Sequence, residues 1–384
     1  MLSEEYIVEC SDKIVRMYNK FVDASIVEMA KSIKKYYTFD EINRKANLLV
    51  ISGTLKSKII KHIAVLNKMS AEEVEKILED AGKTTLASDD AIYMKSGFEV
   101  VPFTESPVLK QILEAQIVET SGELFNMTKT TADAVQQKFI SAVDVAEMQV
   151  QTGFTDYNTA IKNAIIDIVD SGANTFVEYP TGHKSALDVA VRRCVLTGVS
   201  KSASALQWQR AVDMKAPYVD TSAHAGARPT HAEWQGKRFN LNGDGRFPSF
   251  VEPLAEFGNK PVKDQLEEYN CRHSWFPVMS ADAPYAITEK YLKELNEKKV
   301  TSGGKEYTYY EAEQRLRQME RNIRKYKRRV QALKEARIEG QENPQLEEAI
   351  KHNNIKIREW QRHIRTFVND TGVDRRRANE QIYY

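Results

Sequence analysis

SAHAGARPTHAEWQGK, residues 222–237, places two histidines, an arginine, a proline and a tryptophan within sixteen consecutive positions. It also marks where the pattern of the chain changes. Between 217 and 280 the helical spacing of apolar residues stops, and short runs (YVDTSA, KRFNL, CRHSWFPV) alternate with turn-forming segments such as NLNGDG and RFP. A small sheet with loops is expected there. Helical patterns lie on both sides, so the fold class reads as mainly α with a small central α+β domain and a C-terminal antiparallel helical hairpin of coiled-coil type.

Upstream, Ile7, Ile14, Val15, Tyr18, Phe21, Val22, Ile26, Met29 and Ile33 recur at three- and four-residue spacing, which predicts an amphipathic helix over 3–35. Shorter helices are expected over 39–66, over the segment opened by a capping box at Ser70 and Glu73 and closed by Gly82, and over 84–95. GFEVVPFTESP, with Gly97, Pro102 and Pro107, reads as a linker or edge strand before a proline-free helical region over 108–152. A further helix near 156–170, a strand at NTFVEY and a helix from Ser185 complete this part.

Downstream, Leu316, Met319, Ile323, Tyr326, Val330 and Leu333 keep a 3,4 spacing, and Leu346, Ile350, Asn353, Ile357, Trp360, Ile364 and Phe367 repeat it. Thr308 with Glu311 forms a capping box, and Asn343 followed by Pro344 starts the return helix. The domains expected are an N-terminal helical domain (1–100), a long-helix region (101–215), a compact α+β motif domain (216–285) and a basic helical hairpin with its tail (286–384).

The 384 residues carry a formal charge of +1, so no global field draws in nucleic acid or membrane. The charge is uneven: residues 305–384 hold nineteen Lys and Arg against thirteen Asp and Glu, about +6, which leaves about −5 on the rest. Arg321, Arg324, Lys325, Lys327, Arg328 and Arg329, with Arg375, Arg376 and Arg377 in the tail, are the candidate residues for binding DNA or an acidic protein surface, expected off the apolar seam. The competing reading is a solvated helix face whose arginines pair with glutamates. Cys10, Cys194 and Cys271 have no framework spacing, which suits a reducing compartment or a thiol-tolerant particle. No signal-peptide core and no run of eighteen apolar residues occurs, so a soluble chain is expected.

His224, His231, Cys271 and His273 are ligand types that zinc accepts, but H-x6-H and C-x-H are not the usual zinc spacings. They stand as weak candidates only, and neither metal nor cofactor is expected. If 271–273 is a strand, Cys271 and His273 share one face. An enzyme reading puts acid, base and oxyanion roles on the histidines and Arg228, with Glu233 as a carboxylate, in metal-dependent, nuclease-like or ribosyl-transfer chemistry. The structural reading makes the histidines, Arg228, Gln235 and Asn270 a buried polar network that clips the loop to the strand carrying Cys271.

DTSAHAGARPTHAEWQGKRFNL, followed some thirty residues later by NCRHSWFPV, resembles the phage minor capsid protein 2 family. The likeness is strongest over about 180–280, including TGHKSALDVAVRRCVLTGVSKSA, and extends to the helical N-terminal region and the charged C-terminus. The chain is more distantly similar to head morphogenesis proteins related to phage Mu F protein, through Arg228, His231, Gly236, Asn270, Cys271 and Arg272. The segment before Asn270, EPLAEFGNKPVKDQLEEY, is charged where that family is often glycine-rich. The resemblance implies a structural virion component without catalytic residues, placed inside the head near the portal vertex and, during assembly, in the host cytoplasm. The roles implied are head assembly and DNA packaging or ejection. The partners implied are the portal protein, the major capsid or scaffolding protein and viral double-stranded DNA bound without sequence preference, with no membrane. His224, Arg228, Pro229, His231, Trp234, Gln235, Gly236, Asn270, Cys271, Arg272 and His273 are then the family motif and structural clip. A DNA-binding adaptor with no place in a phage head is the remaining alternative.

Overall fold

A computed structural model of the chain describes residues 2–172, 176–178, 184–268 and 271–382. The first helix, α1 (Glu4–Tyr37), starts where the Ser3 hydroxyl accepts from the Tyr6 amide. Its apolar stripe is buried as the spacing requires. The second, α2 (Glu41–Lys95), is a single helix of 55 residues, about 80 Å long. The breaks expected near 70 and 82 are absent. The Ser70 hydroxyl donates to the Asn67 carbonyl within the helix, and at Gly82 a Cβ would lie 2.6 Å from Leu206 Cδ1. Both are packing features of a continuous helix held along its length by its neighbours, which a local signature does not report.

Next come α3 (Pro107–Thr128) and α4 (Thr131–Gln151), so the helical region expected over 108–152 is broken at Lys129 and Thr130. They are followed by α5 (Tyr157–Gly172), a hairpin of β1 (Phe176–Glu178) with β2 (Lys184–Ala186), and α6 (Leu187–Asp213). Ile14, Tyr18, Ile59, Phe139, Ile165 and Val191 lie in one core that joins α1 to α6. Helices α6 and α3 pack closely at Gly198. A Cβ on Gly198 would lie 2.5 Å from Thr120 Oγ1 and 2.8 Å from its Cγ2, and Thr120 is itself buried.

The α+β part is built on β3 (Tyr218–Thr221), flanked antiparallel by β4 (Arg238–Asn240) and β5 (Trp275–Val278). Two short helices, α7 (Pro229–Ala232) and α8 (Val262–Leu266), sit in the connections. Val219, Trp234, Phe239, Phe250 and Trp275 form a separate core here. Strand β5 begins only at Trp275, so Cys271 and His273 lie on the approach to the strand and not within it. Asn270 lies outside the described residues.

After α9 (Glu289–Asn296) comes a hairpin that the sequence reading missed, β6 (Lys299–Ser302) and β7 (Lys305–Thr308). Its two-residue turn is Gly303–Gly304, with φ of +58° and +76°, a conformation that glycine adopts without strain. The helices α10 (Tyr309–Glu335) and α11 (Pro344–Thr371) then form the antiparallel hairpin, and both expected caps are present. Leu316, Ile323, Ile364 and Phe367 pack together at the open end, while Leu333, Leu346 and Ile350 join the main helical core.

The arginines of α10 do not sit clear of packed surface. Arg324 reaches Asp188 on α6 and the Asn379 carbonyl, and Arg328 donates to Asp23 Oδ1 (2.6 Å) and Asn19 Oδ1 (3.1 Å) on α1. Arg329 and Lys325 share Asp170 on α5, and Lys327 donates to Gln381 (2.8 Å). In the tail Arg375 pairs with Glu380 (2.6 Å) and Arg376 with Asp12 (3.0 Å). The 3,4 spacing finds the one apolar stripe of α10, but this helix has a second buried face that is polar. Arg321 and Arg377 stay exposed. No helix among the described residues is long and apolar enough to cross a membrane.

Gly198→Ala tests the packing of α3 on α6. In an exposed helix interior the change would stabilise by up to about 1 kcal/mol. Here it should lower stability by roughly 1–3 kcal/mol, because the rigid β-branched Thr120 fills the space. The sign of the shift in thermal unfolding decides.

Candidate functional site

Residues 222–237 cross from β3 to β4, and backbone bonds fold the segment back on itself. The Gly236 amide donates to the Ser222 carbonyl (3.2 Å), and the Thr221 hydroxyl to the Trp234 carbonyl (3.0 Å). Pro229 opens α7 at its first turn, where a missing amide proton costs nothing. The helix holds His231 inward and leaves Glu233 exposed. Trp234 is fully buried, with its Nε1 donating to Gln265 Oε1 (2.8 Å).

Gln235 joins the parts of the motif. Its Oε1 accepts from the His224 amide (3.1 Å) and faces His273 Nε2 at 2.9 Å, while its Nε2 donates to Asn296 (2.5 Å). Because Oε1 can only accept, His273 carries its proton on Nε2. On the other side His231 Nε2 lies 3.5 Å from Glu268 Oε2, a carboxylate also held by Arg228 (3.2 Å) and Lys260 (3.0 Å). Both imidazoles turn Nδ1 towards Cys271 Sγ, at 3.7 Å for His231 and 3.6 Å for His273. All three side chains are buried.

Burial, reinforced by Arg228, pulls the His231 pKa down to about 4. Burial and then the neighbouring His224 ring, whose centroid is 4.3 Å away, hold His273 well below its ordinary value. Burial pushes the Cys271 thiol up to about 12. At neutral pH the cluster is two neutral imidazoles and a protonated thiol, which is not the imidazolium–thiolate pair of a cysteine nucleophile. Glu233, the carboxylate of the enzyme reading, is exposed, and the carboxylate facing His231 is Glu268.

The cluster borders a cavity of about 430 Å3 where α1, α6, α10, the tail and the motif loop meet. Eight arginines and five carboxylates line it. Arg272 spans it, donating to both oxygens of Glu313 on α10 (3.2 and 2.9 Å). Burial raises the Glu320 carboxyl to about 7 against the opposing pull of Arg324 and of the Asn379 amide. Sequence reasoning found the motif side of this junction and missed Glu268, Glu313 and Glu320, which lie in charged segments with no distinguishing pattern.

It also missed the strongest clasp in the module. Arg238 on β4 donates to Asp220 on β3 through Nε (2.7 Å) and Nη2 (2.9 Å), and to the carbonyls of Ala281 (3.1 Å), Ala283 (2.8 Å) and Pro284 (3.3 Å). Neither side chain of the pair is more than 4% exposed. The DTSA and GKRFN segments carry these residues without indicating that they pair.

A helical body, a small three-stranded module and a hairpin joined at one charged cavity describe a protein whose polar groups chiefly hold its parts together. The sequence model of the phage minor capsid protein 2 family matches residues 2–369, nearly the whole chain. The chain belongs to the phage minor capsid protein 2 family, and with it to the structural proteins of bacteriophage capsids. No curated protein and no solved structure matches it.

Arg238→Ala strands the buried Asp220 charge and three carbonyls, so it should cost about 3–5 kcal/mol in denaturant unfolding. Glu320 gives a pH test. The folded protein keeps this proton up to about pH 7, while the unfolded chain releases it at ordinary carboxylate pH, so this group's contribution to stability falls as pH rises between the two values. Glu320→Gln should therefore gain on the natural protein in melting temperature between pH 5 and pH 8. A constant difference would contradict the assignment.

Proposed function

We propose that this minor capsid protein is a structural component of the phage head at the portal vertex, where it meets packaged double-stranded DNA through the outer face of α11. The observation that carries the DNA assignment is a stripe on that helix. Lys351, Arg358, Arg362 and Arg365 are all exposed and fall on one line at seven-, four- and three-residue spacing. It runs about 21 Å along the axis. None of the four pairs with a carboxylate among the described residues, and Arg358 and Arg365 meet only carbonyls of their own helix. Arg324, Arg328 and Arg329 of α10, by contrast, are paired with carboxylates inside the protein, which moves the proposed DNA-facing surface to the return helix.

Such a row meets phosphates without reading bases, and each phosphate neutralised releases counterions. Portal association rests on the likeness of the 222–273 motif to head morphogenesis proteins. The neutral His–Cys cluster and the exposed Glu233 support a structural role over a catalytic one.

Substituting Gln at Lys351, Arg358, Arg362 and Arg365 should leave the melting temperature nearly unchanged. It should weaken binding to linear duplex DNA and flatten the dependence of affinity on salt, by about 0.9 in the log–log slope for each phosphate that is no longer neutralised. The natural protein should also co-sediment with its portal protein. Equal affinity and equal slope in the substituted protein would remove the DNA assignment.

A further inference from the structure

We propose that His231 Nδ1, His273 Nδ1 and Cys271 Sγ bind one zinc ion, whose fourth position opens onto the arginine-lined cavity. The first argument is distance. A tetrahedral zinc with Zn–S of about 2.3 Å and Zn–N of about 2.0–2.1 Å sets its sulfur and nitrogen ligands about 3.6 Å apart. The two S···N separations are 3.6 and 3.7 Å, and all three ligand atoms lie within 4.8 Å of one another.

The second argument is proton count. The Gln235 oxygen fixes the His273 proton on Nε2 by a hydrogen bond, and the Glu268 carboxylate, 3.5 Å from His231 Nε2, favours the proton on that side of the other ring. Both Nδ1 lone pairs are thus turned on a single thiol, which has one weak proton to offer two buried acceptors. A cation at their centre satisfies both nitrogens and the sulfur at once. On binding, the thiol releases its proton to solvent and zinc takes the sulfur lone pair, so nothing is oxidised or reduced.

The third argument is the surround. Metal-bound imidazoles characteristically hold the far nitrogen against a carboxylate or an amide oxygen, and here one ring has each. The ion would tie α7 to the segment leading into β5, two pieces forty residues apart. His231, Cys271 and His273 all border the cavity, so water can complete the tetrahedron. H-x6-H and C-x-H fail as a sequence signature because the ligands come from a short helix and an irregular segment.

The test uses the full chain, expressed with zinc supplied and analysed for metal by mass spectrometry after gel filtration. Zinc should be retained near one per chain, be lost in His231→Gln, Cys271→Ser and His273→Gln, and persist in Glu233→Gln. If those variants do not fold, the natural protein stripped of metal and titrated with Co2+ should show a thiolate-to-cobalt charge-transfer band and the intense visible bands of tetrahedral cobalt. Absence of both retained zinc and the cobalt bands overturns the proposal. So does zinc unchanged in all three ligand variants, or cobalt binding without the thiolate band.

Discussion

The structure depends on a set of cations and carboxylates brought together from opposite ends of the chain. Arg328 on α10 is 305 residues from Asp23 on α1, Arg324 meets Asp188 on α6, and Arg376 meets Asp12. Breaking a buried pair such as Arg328–Asp23 leaves an uncompensated charge and costs several kcal/mol, so the hairpin is held in one position on the helical body. The apolar seam between α10 and α11 could form anywhere. The ionic face, together with Leu333, Leu346 and Ile350 in the main helical core, decides where the hairpin docks and so closes one wall of the cavity.

The α+β module is attached to the same junction by different means. Gln207 on α6 donates to Asp89 on α2 and to the Trp275 carbonyl at the start of β5, and Arg272 reaches across to Glu313 on α10. Its internal rigidity comes from the Arg238–Asp220 clasp and from Gln235, which ties His224 to His273. Residues 222–237 are held in a buried polar network, and that network places two imidazoles and a thiol on one point.

Much of this was legible in the sequence. Spacing located α1, the seam of the hairpin and both of its caps, because each rests on interactions within a few turns of one helix. Composition located the sheet-bearing module, and the density of polar side chains located the motif. The errors have one cause. Ser70 and Gly82 imitate helix ends locally, while α2 continues because four other helices pack along it. Arg324, Arg328 and Arg329 imitate part of a solvated basic face, while their partners lie on α6, α1 and α5.

By itself the sequence determined the mainly helical class, the position of the small sheet, the antiparallel hairpin and the family. These follow from periodicities and motifs that short segments carry whole. Only the tertiary structure decided which charges are used up inside the protein, that Glu268 and not Glu233 faces His231, and that His231, His273 and Cys271 converge. Those facts depend on the meeting of segments tens to hundreds of residues apart, where burial and pairing set the state of each ionisable group.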